Sequence, residues 1–253
     1  MNSYDHKFLN LKIAHLYPKH MNIYGDMGNI ITLVERCRLR EIKVDVFNID
    51  INEDIKLDKY DLYFMGGGQD SQQRAIAKDL KTKKEILQNE ALINKKVFLG
   101  ICGGYQLFGK YYKPFNNELQ EGLSILDVKT IASNKRFIGN VTAKITFLDS
   151  LGTLVGFENH SGLTYIEENS KTIPLAKVVV GNGNNGEDKL EGARKNNVFG
   201  TYLHGSLLPK NPIFADYLIK IALDTKYDLD INLKQLNDSF ENKLHLSLEN
   251  KSY

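Results

Sequence analysis

The sequence predicts an α/β fold: a mostly parallel central sheet flanked by helices, with extra antiparallel strands in the second half. Three observations carry this. In the first half, short β-rich runs alternate with helical patterns. One of those runs, residues 97–101 (VFLGI), is apolar throughout, as a strand covered on both faces must be. In the second half, strand-like runs follow one another with few helical patterns between them.

Residues 11–16 (LKIAHL) read as the first strand. Residues 28–40 carry apolar side chains at helical spacing, and Asp26 is placed to cap that helix. Residues 43–49 (KVDVFNI) alternate like a strand. Residues 61–65 (DLYFM) form another apolar run, closed by Gly66, Gly67 and Gly68. A long helical pattern covers residues 72–89. The run at 97–101 leads into Cys102 and a helix through Gln106 and Phe108. Further strands are expected at 141–147, 154–158, 176–180 and 198–202. The Asn/Gly run 181–188 (GNGNNGED) reads as a mobile loop tip. Pro212 opens a helix to about residue 223, and a last helix is expected over about 233–246.

The chain has 253 residues. At roughly 150 residues per domain that is one large domain or two small ones. With no Pro/Ser-rich seam it reads as a single domain over 1–253: a core of about 11–223 and a helical C-terminal segment of about 224–253. Lys plus Arg is 33 against Asp plus Glu 31, a net charge of +2, which argues against a dedicated nucleic-acid binder. No apolar run reaches the roughly 20 residues of a membrane helix, and the N-terminus lacks the pattern of a signal peptide. Two cysteines, Cys37 and Cys102, cannot make a disulfide framework, so a cytoplasmic setting is expected. No zinc-ligand spacing is present.

The most informative stretch is 97–109, VFLGICGGYQLFG. A strand, a nucleophile and a helix in that order make a nucleophile elbow. The sharp turn lifts the side chain off the sheet edge, and glycines are needed because neighbouring side chains would clash. The helix N-terminus is expected to lower the thiol pKa of Cys102, and the Gly103 N–H to stabilise an oxyanion. A cysteine nucleophile needs a base. His204, where a strand ends in His-Gly, is the first candidate, and His160 in GFENHSGLT is the rival. His15 reads as packed in the first strand; His6, His20 and His245 read as surface or loop residues. The loop Met65–Asp70 (MGGGQD) lacks the Walker pattern, so it reads as the source of a second oxyanion N–H. Gly67 is the expected donor, with Gly66 and Gly68 as alternatives.

These residues resemble the class I, triad-type glutamine amidotransferases, in the branch of the cobyric acid synthase-like glutaminase domains. The segments YPKHMNIYGDMGN, GGGQD, GFENHSG, GNGNNGED and FGTYLHG together resemble the GatD-type glutaminase subunits of lipid II isoglutaminyl synthases. The resemblance runs from about Leu11 to the C-terminal helix. It implies Cys102 as nucleophile and His204 as general base and acid. It also implies that Arg136 binds the glutamine, whose α-carboxylate a guanidinium can grip bidentately. The carboxylate that most relatives carry two residues after the histidine is absent here, where Ser206 stands. An acidic residue of a partner subunit is expected to complete the site.

The implied activity is hydrolysis of L-glutamine to glutamate and ammonia. This chain carries no ATP-binding motif, so a separate partner is expected, and the resemblance implies that it is a Mur ligase-like, MurT-type subunit in a heterodimer. The partner would use ATP and Mg²⁺ to amidate D-isoglutamate of lipid II to D-isoglutamine in peptidoglycan synthesis. The chain itself should need no cofactor or metal. It should reach the inner face of the membrane only through its partner. Three alternatives stand beside this: the glutaminase part of a corrinoid amidating enzyme, a non-catalytic binding subunit on the same fold, and a generic cysteine hydrolase. Glu158, Asn159 and His160 line either the pocket or an interface.

Overall fold

In the computed structural model, residues 8–23, 25–115 and 118–249 are described. His6 lies outside them. The first half lays down β1 (Asn10–Leu16), α1 (Met27–Arg38), β2 (Lys43–Ile49), β3 (Leu62–Met65), α2 (Asp70–Gln88), β4 (Val97–Ile101) and the short α3 (Gly103–Phe108). After these come β5 (Tyr111–Lys113), β6 (Gln120–Glu121), β7 (Val128–Ile145), β8 (Thr153–Ile166), β9 (Ala176–Val180) and β10 (Leu190–Glu191). The chain closes with β11 (Ala193–Lys195), β12 (Val198–Thr201), α4 (Pro212–Tyr227) and α5 (Ser239–Glu249).

The central sheet has the order β11-β12-β4-β3-β1-β2. All its pairings are parallel except β11 with β12. Its middle strands β3, β4 and β12 are buried at every residue, which is why they read as unbroken apolar runs. The edge strand β2 alternates Lys, Val, Asp, Val, Phe, Asn because much of it meets water. The mixed α/β class expected from the sequence is the one found.

A second sheet, β10-β9-β7-β5-β6 with β8 on β7, is built mainly from antiparallel pairs. Its two long strands exceed the expected runs at 141–147 and 154–158, because pairing between them carries stretches with weak apolar alternation. Their register shifts between Ala132 and Phe137. Residues 133–136 thus leave the ladder, with Arg136 at the end of that excursion.

Three further expectations change. Asp26 precedes α1 but makes no capping bond. The loop 181–188 is an ordered part of the structure: Asn184 and Asn185 are buried, and the Asn184 amide donates to the Gly192 carbonyl at 2.9 Å. The last helix begins at Ser239 rather than about 233. Upstream of it, Arg36 binds Asp238 and Arg40 donates to the Lys234 carbonyl at 2.7 Å, holding that stretch extended against α1.

Candidate active site

Ligands gather at the carboxyl ends of parallel strands, and here four neighbouring strand ends deliver the functional residues. β1 leads to the loop carrying Ile23 and Asp26, β3 to Gly66–Gly68, β4 to Cys102, and β12 to His204. The second sheet faces this edge with Arg136 from β7 and Asn159 and His160 from β8. The two sheets are joined at the site itself. His204 donates its backbone N–H to Phe157 at 3.0 Å, and Phe157 donates back at 3.3 Å.

Cys102 has φ 50° and ψ −105°, a conformation that side chains rarely adopt. The surrounding backbone enforces it. The Cys102 N–H donates to Thr201 of β12 at 2.8 Å, and its carbonyl accepts from Gln106 at 3.0 Å in the first turn of α3. The turn packs directly on the glycine loop. A Cβ on Gly104 would stand 2.3 Å from the Met65 carbonyl, and one on Gly103 would stand 2.6 Å from the Gly68 carbonyl. Gly104 donates to the Gly66 carbonyl at 3.1 Å.

The electrostatics differ from the expectation. Burial, and then the Asp26 carboxylate, push the Cys102 thiol up to about 12; the Gly103 N–H and Arg136 pull the other way and are outweighed. The amide at the start of α3 therefore opposes the shift without reversing it. His204 is lowered to about 4, first by burial and then by His160, while the Asn159 main chain and Glu158 support its charged form. In the free chain the pair therefore rests as thiol and neutral imidazole.

A cavity of about 410 Å³ opens over the nucleophile, lined by Cys102, Gly68, Gln106, Arg136, Asn159 and His160 among others. Arg136 reaches it from the looped-out segment, its Nε donating to Asn159 Oδ1 at 2.8 Å. Gln106 is fixed there, accepting from Gln73 at 2.8 Å and donating to the Tyr202 hydroxyl at 3.2 Å. His204 is 1% exposed and is not among the residues lining the cavity; it pairs with Phe157 of β8 and interacts with His160 and the Asn159 main chain. His160 lines the cavity but is spent locally. Its Nδ1 donates to the Gly162 carbonyl at 2.9 Å, its Nε2 lies 3.9 Å from Glu158, and its ring stacks on Tyr202 at 3.6 Å. A larger cleft of about 700 Å³ between α2 and residues 118–123 is lined by Arg74, three lysines and two glutamates and holds neither cysteine nor histidine.

Three placements were not legible in sequence. Gly67 donates its N–H to Asp26 Oδ2 at 2.7 Å, so that N–H is turned away from an oxyanion role, and Gly68 is the loop glycine that lines the cavity. Glu158 is held by Asn182 and Gly183 of the 181–188 loop, which is what that loop orders itself around. Ser206, at the position of the missing carboxylate, donates to the Gly25 carbonyl at 2.5 Å. Of the remaining histidines, His15 is buried, His20 lies 3.7 Å from Asp50, and His245 bonds Thr153 and Lys210.

Comparison with known proteins agrees with this architecture. Residues 12–212 match the family described as the CobB/CobQ-like glutamine amidotransferase domain. The chain belongs to that family, a branch of the glutamine amidotransferases. Among the relatives it is most similar to, the GatD subunit of lipid II isoglutaminyl synthase (glutamine-hydrolyzing) from Streptococcus pneumoniae is 43% identical over 229 residues, covering 90% of this chain and 86% of that protein. The same subunit from Staphylococcus aureus is 44% identical, covering 85% and 86%. A probable cobyric acid synthase from Methanococcus maripaludis is 33% identical over 75% of this chain but only 37% of its own length. In fold, the chain matches a crystal structure of a glutamine amidotransferase with TM-score 0.56 at 14% identity, covering 83% of this chain and 98% of that one. It matches the acivicin-bound glutaminase domain of Trypanosoma brucei CTPS with TM-score 0.52 at 13% identity, covering 89% and 97%.

Proposed function

We propose that this chain is the glutaminase subunit of a lipid II isoglutaminyl synthase, with Cys102 as nucleophile and His204 as base and acid. The observation that carries it is the Cys102 elbow, held at φ 50° between two glycine loops and open to a cavity shared with Arg136. Similarity to the two GatD subunits over most of both chains supports the choice of reaction. The cobyric acid synthase reading is weaker, since this chain spans little more than a third of that relative.

Arg136 grips the α-carboxylate of L-glutamine and sets its side-chain amide over Cys102. His204 takes the thiol proton as sulfur attacks the amide carbon. The oxyanion forms beside the N–H groups of Gly103 and Gly68. His204 then gives the proton to the departing nitrogen, which leaves as ammonia. A thioester remains. Water adds to it with its proton taken by His204, and glutamate leaves as the Cys102 thiol is regenerated.

The chain itself needs no metal or cofactor for these steps. Ammonia passes to a Mur ligase-like, MurT-type partner, which supplies the ATP- and Mg²⁺-dependent amidation of D-isoglutamate on lipid II. A carboxylate of that partner completes the site. Two features support this: Ser206 stands where the acid is usual, and the oxygens of Glu158, whose charge supports His204, are engaged by Asn182 and Gly183. A partner carboxylate would raise His204 back toward its ordinary value and stabilise the imidazolium that must form.

A chloroketone analogue of glutamine tests the reading. It should add one mass increment, located on Cys102, that excess L-glutamine blocks and Cys102→Ala abolishes. Equal labelling in the presence of glutamine would point to a cysteine hydrolase of other amides.

A further inference from the structure

We propose that Asp26 is a positioning residue for the glutaminase step: its carboxylate holds the Gly67 N–H, in the Gly66–Gly67 peptide, and so fixes the Gly67 backbone from which the next amide, the Gly68 N–H, faces the oxyanion. The inference rests on the glutaminase reading and adds a residue to it.

The geometry is a two-sided clamp. The Gly67 N–H donates to Asp26 Oδ2 at 2.7 Å, and the Gly67 carbonyl accepts from the Ile23 N–H at 3.3 Å. Both holds come from the loop that follows β1. In a trans peptide the N–H points opposite to the carbonyl, and no peptide bond among the described residues is cis. With the Gly67 carbonyl turned to Ile23, the Gly68 N–H is turned the other way. The elbow stands next to this amide: Gly68 N lies 2.8 Å from where a Gly103 Cβ would be, and Gly68 lines the Cys102 cavity. The Asp26 and Ile23 holds, one on each side of Gly67, together set the second donor beside the first.

Asp26 is an odd residue to bury for any structural purpose. It is fully buried, it makes no capping bond to α1, and its Oδ1 has no hydrogen-bond partner among the described residues. A buried carboxylate with a bare oxygen is expensive. Its charge also opposes a Cys102 thiolate. Its contribution is thus placement of the loop and not charge, and this makes the substitutions discriminating.

The test uses the full chain with its co-purified partner and follows two reactions. Glutamine hydrolysis needs the oxyanion donors. Alkylation of Cys102 by iodoacetamide needs the thiolate and no oxyanion donor. Asp26→Ala removes the clamp and should lower kcat by about 10²-fold, the loss typical of one oxyanion donor, with KM changed only a few-fold and alkylation not slowed. Asp26→Asn keeps an acceptor for Gly67 and should restore most of kcat. If the alanine chain does not fold, Asp26→Ser takes its place, its shorter side chain being unable to span to Gly67. The proposal is overturned if the folded Ala or Ser variant keeps kcat near wild type. It is equally overturned if Asn falls as far as Ala, or if alkylation drops in step with kcat, which would mean that the elbow itself had collapsed. Wild-type protein that releases no glutamate would instead count against the glutaminase reading.

Discussion

Cys102 and His204 show how much a residue's chemistry depends on what surrounds it. The elbow was legible because strand, cysteine and glycines are contiguous. The direction of the thiol's shift was not, because burial and Asp26 act through space from a segment 76 positions away. A thiol held near 12 has a thiolate fraction that grows about tenfold per pH unit below that value. Iodoacetamide alkylation of Cys102 in the isolated chain should therefore climb steadily from pH 7 to 10; a plateau by pH 8 would show an activated thiolate already present. Arg136 was placed by resemblance and the structure brings it to the Cys102 cavity. Arg136→Ala should raise KM for glutamine by about 10- to 100-fold, the range for a lost charge-assisted contact. Lysine should recover little of that, since it lacks the planar fork. An unchanged KM would put the α-carboxylate elsewhere.

At the scale of elements, the site is two glycine loops pressed together at the ends of β3 and β4. Sequence showed both loops but not their contact, which depends on parallel pairing of the two strands. For the same reason Gly67 was expected as a donor, and its N–H is instead committed to Asp26. The parallel strands of the central sheet were legible to within a residue, β3, β4 and β12 because burial on both faces leaves mainly apolar residues and β2 by its alternation, whereas the short antiparallel β11 was not read at all. The ends of β7 and β8 were not, because pairing rather than apolar alternation sustains them. The 181–188 loop misled for a related reason: its Asn and Gly residues make hydrogen bonds with Glu158 and Gly192, and composition alone does not show that. The loop contact makes a sharp prediction. Gly104→Ala puts a methyl 2.3 Å from the Met65 carbonyl, so backbone must move. It should destabilise by about 1–3 kcal/mol, the usual range for overpacking, with glutaminase activity lost alongside. An unshifted melting temperature would show that the two loops are not in contact.

For the whole molecule, buried titratable groups tie stability to pH. Burial pushes Glu191 and Asp26 up to about 7 and lowers His15 and His204 to about 4. An acid raised on folding favours the fold below its unfolded pKa and loses that contribution as pH rises through the folded one. A histidine lowered on folding has the opposite slope between about 4 and 6.5, because there the unfolded chain binds the extra proton. The two kinds offset one another in acid, and above pH 6.5 only the acids still act. Glu191→Gln removes one of them. Its melting temperature relative to wild type should rise between pH 5 and 7 and level off above, as differential scanning fluorimetry would read; a difference independent of pH would mean that Glu191 is ionised throughout.

On the function proposed above, the whole molecule makes ammonia from glutamine and works fully only with a second subunit. His204 lacks a carboxylate two residues on, and in this chain alone Cys102 rests as a thiol and His204 as a neutral imidazole. The deciding experiment is glutamate release from L-glutamine by the purified chain, alone and with the proposed Mur ligase-like partner, beside Cys102→Ala. Slow release alone, a large stimulation by the partner, and none with Cys102→Ala is the predicted result. Full turnover by the lone chain would contradict the shared site, and release that survives Cys102→Ala would contradict the nucleophile.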